Sequence, residues 1–166
     1  MRFRCEPLGD QHLDDFDCGN DELTTWLQRH AKTATGQGTR TTLLIDEDRH
    51  VVAYFSIAPH LLDRDALPAK IGRGAPRQIP AILLAKLAVS STHHGQGLGT
   101  DLLVNAIRAI NSAARSAGGK LIVVDAIDNA AAAFFRHHDF DPLPNRADRL
   151  VMKLSTAARA VNEHWP

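Results

Sequence analysis

Apolar residues along this chain recur in patterns that predict alternating strands and helices. Strands are predicted at Arg2–Leu8, Thr41–Ile45, His50–Ile57, Ala81–Val89, Leu121–Ala126 and Val151–Leu154. Helical spacing of apolar positions predicts helices over about residues 21–34, from Leu98 to the glycines at 118 and 119, and over about residues 129–137. The predicted order is therefore β-α-β-β-β-α-β-α-β, an α/β (α+β) fold.

Two of the predicted strands, Ala81–Val89 and Leu121–Ala126, are almost continuously apolar. Runs of this kind are typical of strands buried on both faces of a sheet. A single helix separates them, and a strand, helix and strand in succession predict two parallel strands joined by a right-handed crossover.

The connection over residues 59–80 has a different composition. It contains Pro59, Pro68, Pro76 and Pro80 together with Gly72 and Gly74, so no long regular element is expected there. Lys70, Arg73 and Arg77 give this connection positive charge. Because it leads into the central strand, we expect it to border a substrate entrance.

Charge is distributed unevenly along the chain, although the net charge is zero. Residues 1–65 contain 7 Lys and Arg against 12 Asp and Glu, and residues 66–124 contain 7 against 1. Residues 125–166 are nearly balanced, with 5 against 6. The basic middle segment indicates either a polyanionic partner or a solvated basic face without one.

The composition is that of an ordinary globular protein, and 166 residues predict one domain over residues 1–166 with a tail at 155–166. No segment resembles a signal peptide or is apolar enough for a membrane span, so we expect a cytoplasmic protein without membrane contact. Cys5 and Cys18 are too few for a disulfide framework, and we predict no metal site.

The segment after the central strand carries the clearest functional pattern. Glycines at Gly95, Gly97 and Gly99 lie between the strand and the next helix, where backbone N–H groups can approach a ligand closely. The unpaired donors and the dipole of a helix N-terminus favour a phosphate at such a place. A P-loop requires a lysine that is absent here, and the spacing differs from that of a dinucleotide-binding Rossmann fold.

The segment from Leu87 to Val89 and from His94 to Thr100 resembles motif A of the GNAT N-acetyltransferases, in which this turn binds the pyrophosphate of acetyl-CoA. The resemblance implies the GNAT acyl-CoA N-acyltransferase fold, a central mixed sheet flanked by helices. It also implies acetyl-CoA as cosubstrate.

Further blocks resemble one GNAT subgroup, the acetyltransferase toxins of type II toxin–antitoxin systems. They are the segments 16–27, 54–58, 123–126 and 133–140, so that the match extends from about residue 3 to 154. This resemblance implies acetylation of aminoacyl-tRNA, which blocks translation. It also implies a homodimeric toxin, a ribbon-helix-helix antitoxin, and operator DNA bound only through the toxin–antitoxin complex.

The resemblance also implies roles for individual residues. The cofactor would contact Leu87, Ala88, Val89, His94, Gly95, Gln96, Gly97, Leu98, Gly99, Thr100, Asn129 and Phe134. The N–H of Leu87 or Val89 would polarise the thioester carbonyl. Asn129 could instead be a helix N-cap and Phe134 a core residue. The tRNA would contact Lys70, Arg73, Arg77 and Lys86, each of which could instead be a solvated charge.

Phe135 departs from the family pattern, because the family places a tyrosine there whose hydroxyl protonates the departing thiolate. Phenylalanine has no proton to donate, and losing a general acid lowers rates by about 10²- to 10⁴-fold. The phenylalanine could be an introduced substitution that disarms a toxin, or a natural variant that is slow or inactive. Alternatively, His137, His138 or a water molecule could donate the proton.

Other functions stay open at this point. The chain could acetylate protein or small-molecule amines. It could also be a catalytically silent CoA-binding module that acts with an antitoxin as a transcriptional co-repressor.

His94 is a second departure, because the family has glutamine or arginine at this position of the motif. We expect the affinity for acetyl-CoA to rise as the pH falls, since a histidine near phosphates is positively charged mainly below neutral pH. Calorimetric titration with acetyl-CoA between about pH 5.5 and 8 measures this effect. A dissociation constant that stays flat across this range contradicts the expectation.

Overall fold

The computed structural model describes residues 3–163 and residue 165. The strands are β1 (Arg4–Pro7), β2 (Arg40–Ile45), β3 (Val51–Asp63), β4 (Gln78–Val89), β5 (Leu121–Asp125), β6 (Asp141–Leu143) and β7 (Arg146–Lys153). The helices are α1 (Asp21–Thr25), α2 (Ala31–Gly36), α3 (Ala69–Gly72), α4 (Leu98–Ala117), α5 (Asn129–His137) and α6 (Leu154–Ala160). A π-helical turn (Trp26–His30) joins α1 to α2, and 3-10 turns lie at Arg64–Ala66 and Ser91–His93.

The seven strands form one mixed sheet in the order β1-β2-β3-β4-β5-β7-β6. Strands β4 and β5 are parallel, which confirms the predicted parallel pair separated by α4. The pairs β1–β2, β2–β3, β5–β7 and β6–β7 are antiparallel. The α/β (α+β) prediction with a central mixed sheet is therefore confirmed.

The first helical segment begins and ends close to its predicted limits. The side-chain oxygen of Asn20 accepts the Leu23 N–H at 3.0 Å, which confirms Asn20 as the N-cap. The π-helical turn was not predicted. In this turn the adjacent residues Trp26 and Leu27 both pack against the same apolar cluster. Helix propensity does not distinguish a π-helical turn from an α-helix, so the sequence does not predict it.

Several strands differ from the sequence prediction, and β4 begins at Gln78 instead of Ala81. Strand β3 continues to Asp63 across Pro59, so the irregular connection begins later than expected. Strand β6 was not predicted because it has three residues, includes Pro142 and lies at the sheet edge. Strand β7 begins at Arg146, where exposed polar residues hide the strand pattern. The predicted first strand is observed at β1, and Arg2 lies outside the described residues.

The chain divides into two compact units, of which the first comprises Met1–Ala58 and Ala85–Ala106. Among its described residues, an apolar cluster includes Phe16, Leu27, Leu43 and Tyr54. The Tyr54 ring contacts Phe16 edge-on at 5.5 Å between ring centroids and stacks on Trp26 at 6.0 Å. This unit therefore has a core with aromatic contacts around Tyr54.

The second unit comprises Pro59–Leu84 and Ile107–Pro166. Its apolar cluster contains Leu62, Leu67, Ile79, Ala81, Leu121, Val123, Leu143 and Val151. The 3-10 turn after β3 and helix α3 supply Leu67 and the partly buried Ile71 to this cluster. The proline-rich connection thus covers an apolar sheet face although it contains little regular structure.

Both cysteines are free thiols, Cys5 exposed and Cys18 buried. Two large apolar side chains are exposed in the described part of the chain, Leu61 and Ile127. Between residues 3 and 163, no helix has the length and apolar character required to cross a bilayer.

We expect Tyr54→Phe to destabilise the protein by about 1 kcal/mol, because the buried Tyr54 hydroxyl donates to the Leu23 carbonyl at 2.6 Å. Burial raises the pKa of Tyr54, so the hydroxyl remains a neutral donor. Urea unfolding measures the change, with Thr33→Ala on the exposed surface of α2 as the control. A Tyr54→Phe protein as stable as the control variant contradicts the expectation.

Candidate functional site

The turn between β4 and α4 has the geometry expected of a phosphate cradle. Gly95 and Gly97 both have φ of +76°, a backbone conformation that residues with a side chain adopt only with strain. A Cβ at either position would meet no heavy atom within 4 Å. Glycine therefore permits the positive φ and leaves open space beside the turn. Helix α4 then begins at Leu98, and Gly99 lies in its first turn. The first turn of a helix directs its N–H groups and the positive end of the helix dipole toward an anion.

Strand β4 continues beyond its pairing with β5. The pairs run from Ala81–Leu121 to Leu84–Val124, whereas β4 extends to Val89. Leu87 and Val89 therefore lie past the β5 ladder, and as alternate strand residues they direct their backbone groups to the same side. This position fits the expectation that they bind an extended ligand.

The N-terminal segment braces the cradle. Ser91 donates two hydrogen bonds to the Asp17 carbonyl, from its backbone N–H and its hydroxyl, both at 2.9 Å. The carboxylate of Asp17 in turn accepts the Gly19 N–H at 2.8 Å. Sequence analysis did not find this contact, because the two segments are 74 residues apart and only the turn-rich composition around Asp17 was visible.

His94 lies at the centre of this braced loop. Its Nε2 atom lies 2.7 Å from the Val89 carbonyl oxygen, and because a carbonyl only accepts, Nε2 carries the proton. An ideal Cβ on Gly19 would lie 3.9 Å from the His94 ring, and Gly19 has φ of +81°. His94 thus links the end of β4 to the glycine turn.

Lys86 has a specific environment in the first unit. Its ammonium group lies 5.3 Å from the centre of the Trp26 ring, a cation–π contact. Trp26 in turn stacks on the fully buried Tyr54, with an angle of 9° between the rings. The half-buried Lys86 is therefore held by an aromatic pair, unlike an ordinary solvated lysine.

The predicted tRNA residues Lys70, Arg73 and Arg77 all lie in the second unit, on the connection before β4 and at its start. Lys70 forms an ion pair with Asp141 at 3.2 Å. Arg73 and Arg77 are exposed and form no ion pair with any described residue. The two arginines therefore offer charge that no described residue neutralises, whereas Lys70 is already paired.

Helix α5 carries the remaining predicted residues. Asp128 is its N-cap and accepts the Ala131 N–H at 2.8 Å, so the alternative in which Asn129 caps the helix is wrong. Asn129 is the first helical residue and is exposed. The Asp128 carboxylate takes the cap because it lies one residue before the first helical position.

Phe134 and Phe135 occupy different environments on α5. Phe135 is 5% exposed and contacts Phe134 and Phe140 edge-on, with centroids 5.4 and 5.5 Å apart. Phe134 is half-buried and meets the His138 ring at 4.8 Å. Burial, and then the neighbouring His137, lowers the pKa of His138. The position expected for tyrosine is therefore filled by a well-packed ring without a hydroxyl.

A possible cation cluster lies elsewhere, in the hairpin turn between β2 and β3. Atoms of Asp46, Asp48 and His50 that could bind a metal lie within 4.8 Å of one another. The Asp46 carboxylate already accepts the N–H groups of Asp48 and His50, which is what closes the turn. These contacts give the cluster a structural role.

A family model described as an acetyltransferase (GNAT) domain matches residues 38–142. This range includes β4, the glycine turn and α5. The chain therefore belongs to the GNAT acetyltransferases.

The chain is also similar to individual proteins. It is 30% identical, over 148 residues and 89% of both chains, to the tRNA-acetylating toxin of Mycobacterium tuberculosis (strain ATCC 25618 / H37Rv). AtaT complexed with acetyl-methionyl-tRNAfMet is similar at 25% identity, with a TM-score of 0.86 over 97% of this chain and 99% of that one. A tyrosine-to-phenylalanine mutant of AtaT, bound to the C-terminus of the antitoxin AtaR and acetyl-CoA, shares the fold at 24% identity, with a TM-score of 0.82 and the same coverage.

We expect Gly97→Ala to weaken acetyl-CoA binding by on the order of tenfold, because the new methyl group occupies the open side of the turn. The positive φ adds about 1–2 kcal/mol of strain. Calorimetry measures the affinity. Gly36→Ala at the end of α2, which also has open space but no positive φ, serves as the control and should bind normally. Equal affinities in the two variants would argue against this cradle.

Proposed function

We propose that this chain transfers the acetyl group of acetyl-CoA to the α-amino group of aminoacyl-tRNA and thereby blocks translation. The observation that carries the proposal is the braced glycine turn after β4, in a chain 30% identical to a tRNA-acetylating toxin over 89% of its length. The GNAT family membership supports acetyl-CoA as the donor. The whole of residues 1–166 would form one acetyltransferase domain, with the tail from residue 155 included.

The glycine turn fits the pyrophosphate of acetyl-CoA. Backbone N–H groups from Gly95 to Thr100 would hold its oxygens at the N-terminus of α4. Gln96, Leu98 and Gly99 lie within this segment, and the open space at Gly95 and Gly97 allows close approach. The His94 ring is held beside this segment by the Val89 carbonyl.

The segment Leu87–Val89 would bind the pantetheine arm, because its backbone groups lie past the β5 ladder and amide groups of the arm can pair with them. Ala88 is buried and fixes this part of the strand. Asn129 and Phe134 on α5 would flank the sulfur end of the cofactor.

The reaction requires little acid–base chemistry at the attacking atom. Acetyl-CoA supplies the acetyl group as an activated thioester. The N–H of Leu87 or Val89 would donate to its carbonyl oxygen as negative charge develops there. The α-amino group of an aminoacyl ester has a lower pKa than a lysine side chain, so it is partly neutral without a strong base. Positioning of the two substrates then supplies most of the rate gain.

Arg73 and Arg77 are the best candidates for phosphate contacts in the tRNA, because their charges are not neutralised within the described chain. Lys70 would have to leave its ion pair with Asp141 in order to bind a tRNA phosphate. Lys86, held over Trp26, would meet the acceptor end. The proposed tRNA surface thus rests mainly on the two arginines.

We expect Arg73→Gln combined with Arg77→Gln to weaken tRNA binding and to lower the slope of log affinity against log salt by about 2, roughly one per lost phosphate contact. Fluorescence anisotropy at several salt concentrations measures the slope. Arg115→Gln with Arg159→Gln removes the same charge from exposed positions on α4 and α6 and is the control. Identical slopes for the two double variants would exclude the arginine contacts.

We expect Phe135→Tyr to raise the acetylation rate by about 10²- to 10⁴-fold and to cause or strengthen growth arrest on expression, because it restores a proton donor for the thiolate. Phe140→Tyr adds the same hydroxyl to a buried ring in contact with Phe135 and should have no such effect. Mass spectrometry of charged tRNA detects the product. If Phe135→Tyr does not raise the acetylation rate, the proposed role of this position is contradicted.

Residual transfer by the protein with Phe135 would favour His137, His138 or a water molecule as the donor. Phe135 itself favours a second function, that of a silent CoA-binding module acting with an antitoxin as a co-repressor. Absence of transfer even in Phe135→Tyr would support this module over the enzyme.

The proposed partners follow from the toxin class. They are a ribbon-helix-helix antitoxin, a second copy of this chain in a homodimer, and operator DNA through the antitoxin complex. A neighbouring gene for a small ribbon-helix-helix protein and co-purification of its product would test the first of these.

A further inference from the structure

A polar network interrupts the otherwise apolar sheet face of the second unit. It joins His60 on β3, Asp125 at the end of β5 and Arg149 on β7. The Arg149 guanidinium donates two parallel hydrogen bonds to the Asp125 carboxylate, at 2.7 and 2.8 Å. Its remaining terminal nitrogen lies 3.0 Å from Nε2 of His60.

This geometry determines the protonation of His60. A guanidinium only donates, so Nε2 of His60 accepts and the ring proton is on Nδ1. Burial and then the charge of Arg149 lower the pKa of His60, which keeps the ring neutral. Nδ1 has no hydrogen-bond partner among the described residues. His60 is thus a fixed, neutral donor and is poorly suited to act as a base.

The network also has a defined place on the sheet. His60, Asp125 and Arg149 are each two residues from a buried apolar residue of their strand, namely Leu62, Val123 and Val151, and so share that face. Asp125 is opposite Arg149 in the β5–β7 register. Asp125 directly follows Val124, which pairs with Leu84 at the last register position of the β4–β5 ladder. The network therefore lies at the end of the face where the β4–β5 ladder stops.

We propose that His60 donates its Nδ1–H to the ester carbonyl oxygen of the aminoacyl group, with Arg149 and Asp125 as positioning residues. This inference rests on the proposed function. A neutral donor suits an uncharged oxygen. The Asp125–Arg149 ion pair beside it contributes no net charge, and Arg146, which lies 3.8 Å from Asp125, is itself paired with Asp148. The network therefore has no excess negative charge that would select an ammonium group. An α-amino ester has such a carbonyl next to the reacting amine, whereas a lysine side chain does not. The network would therefore select α-amino esters.

Two substitutions test the roles of the two ring nitrogens of His60 separately. In His60→Asn, the side-chain amide lies near the position of Nδ1, so the donor is kept and the acceptor for Arg149 is lost. In His60→Gln, the amide oxygen can still accept from Arg149 while the donor at Nδ1 is lost. The readout is the affinity for a tRNA with an amide-linked aminoacyl group, which keeps the carbonyl and resists hydrolysis, relative to the same tRNA uncharged. CoA is present and no turnover is required, so Phe135 does not affect the result.

We expect the unsubstituted protein to bind the charged tRNA more tightly than the uncharged tRNA. In His60→Gln this preference should fall by about two- to tenfold, and in His60→Asn it should be unchanged. Nitrogen-15 NMR of the wild-type histidines should show the Nδ1–H tautomer for His60, with a shift on addition of charged but not uncharged tRNA. Retention by His60→Gln, or an Nε2–H tautomer, overturns the inference and leaves His60 only a support for Arg149. A wild-type protein without any preference for charged tRNA contradicts the proposed function itself, and the inference with it.

Discussion

The pairing of β4 with β5 stops at Leu84–Val124 while β4 continues to Val89, and the proposed chemistry depends on this limit. Backbone groups that pair in one part of a strand need another partner where the ladder has ended. A ligand with amides of its own can supply that partner. The same strand then leads directly into the glycine turn, so one continuous segment can hold both the acyl arm and the phosphates of a CoA thioester.

The glycine turn keeps its shape through contacts from the N-terminal segment. Ser91 anchors to the Asp17 carbonyl, and His94 spans from the Val89 carbonyl to the surface of Gly19. Without these contacts, two residues in the positive φ region would leave the loop with many alternative conformations. The N-terminal block thus contributes to the cofactor site although it carries none of the proposed cofactor ligands.

The second unit contains His60, the proposed donor to the aminoacyl ester, and Phe135, the position at which the family pattern has tyrosine. Arg149 ties Asp125 and His60 into a neutral network, while Phe135 packs between Phe134 and Phe140 without a hydroxyl. In the proposed site, cofactor binding and proton donation depend on different residues. A chain with an intact cradle and a phenylalanine at position 135 can retain its affinity for acetyl-CoA while its turnover is low.

The sequence by itself determined the strand and helix order, the Asn20 cap, and the parallel pair around α4, because these follow from local periodicity and capping. It also indicated the phosphate turn, since glycines at this spacing act through their own backbone. Only the tertiary structure decided that Asp128 caps α5, that Lys70 pairs with Asp141, and that His60 meets Arg149 across 89 residues. Contacts between distant residues, and competition between neighbours for one cap, depend on packing that local patterns do not encode.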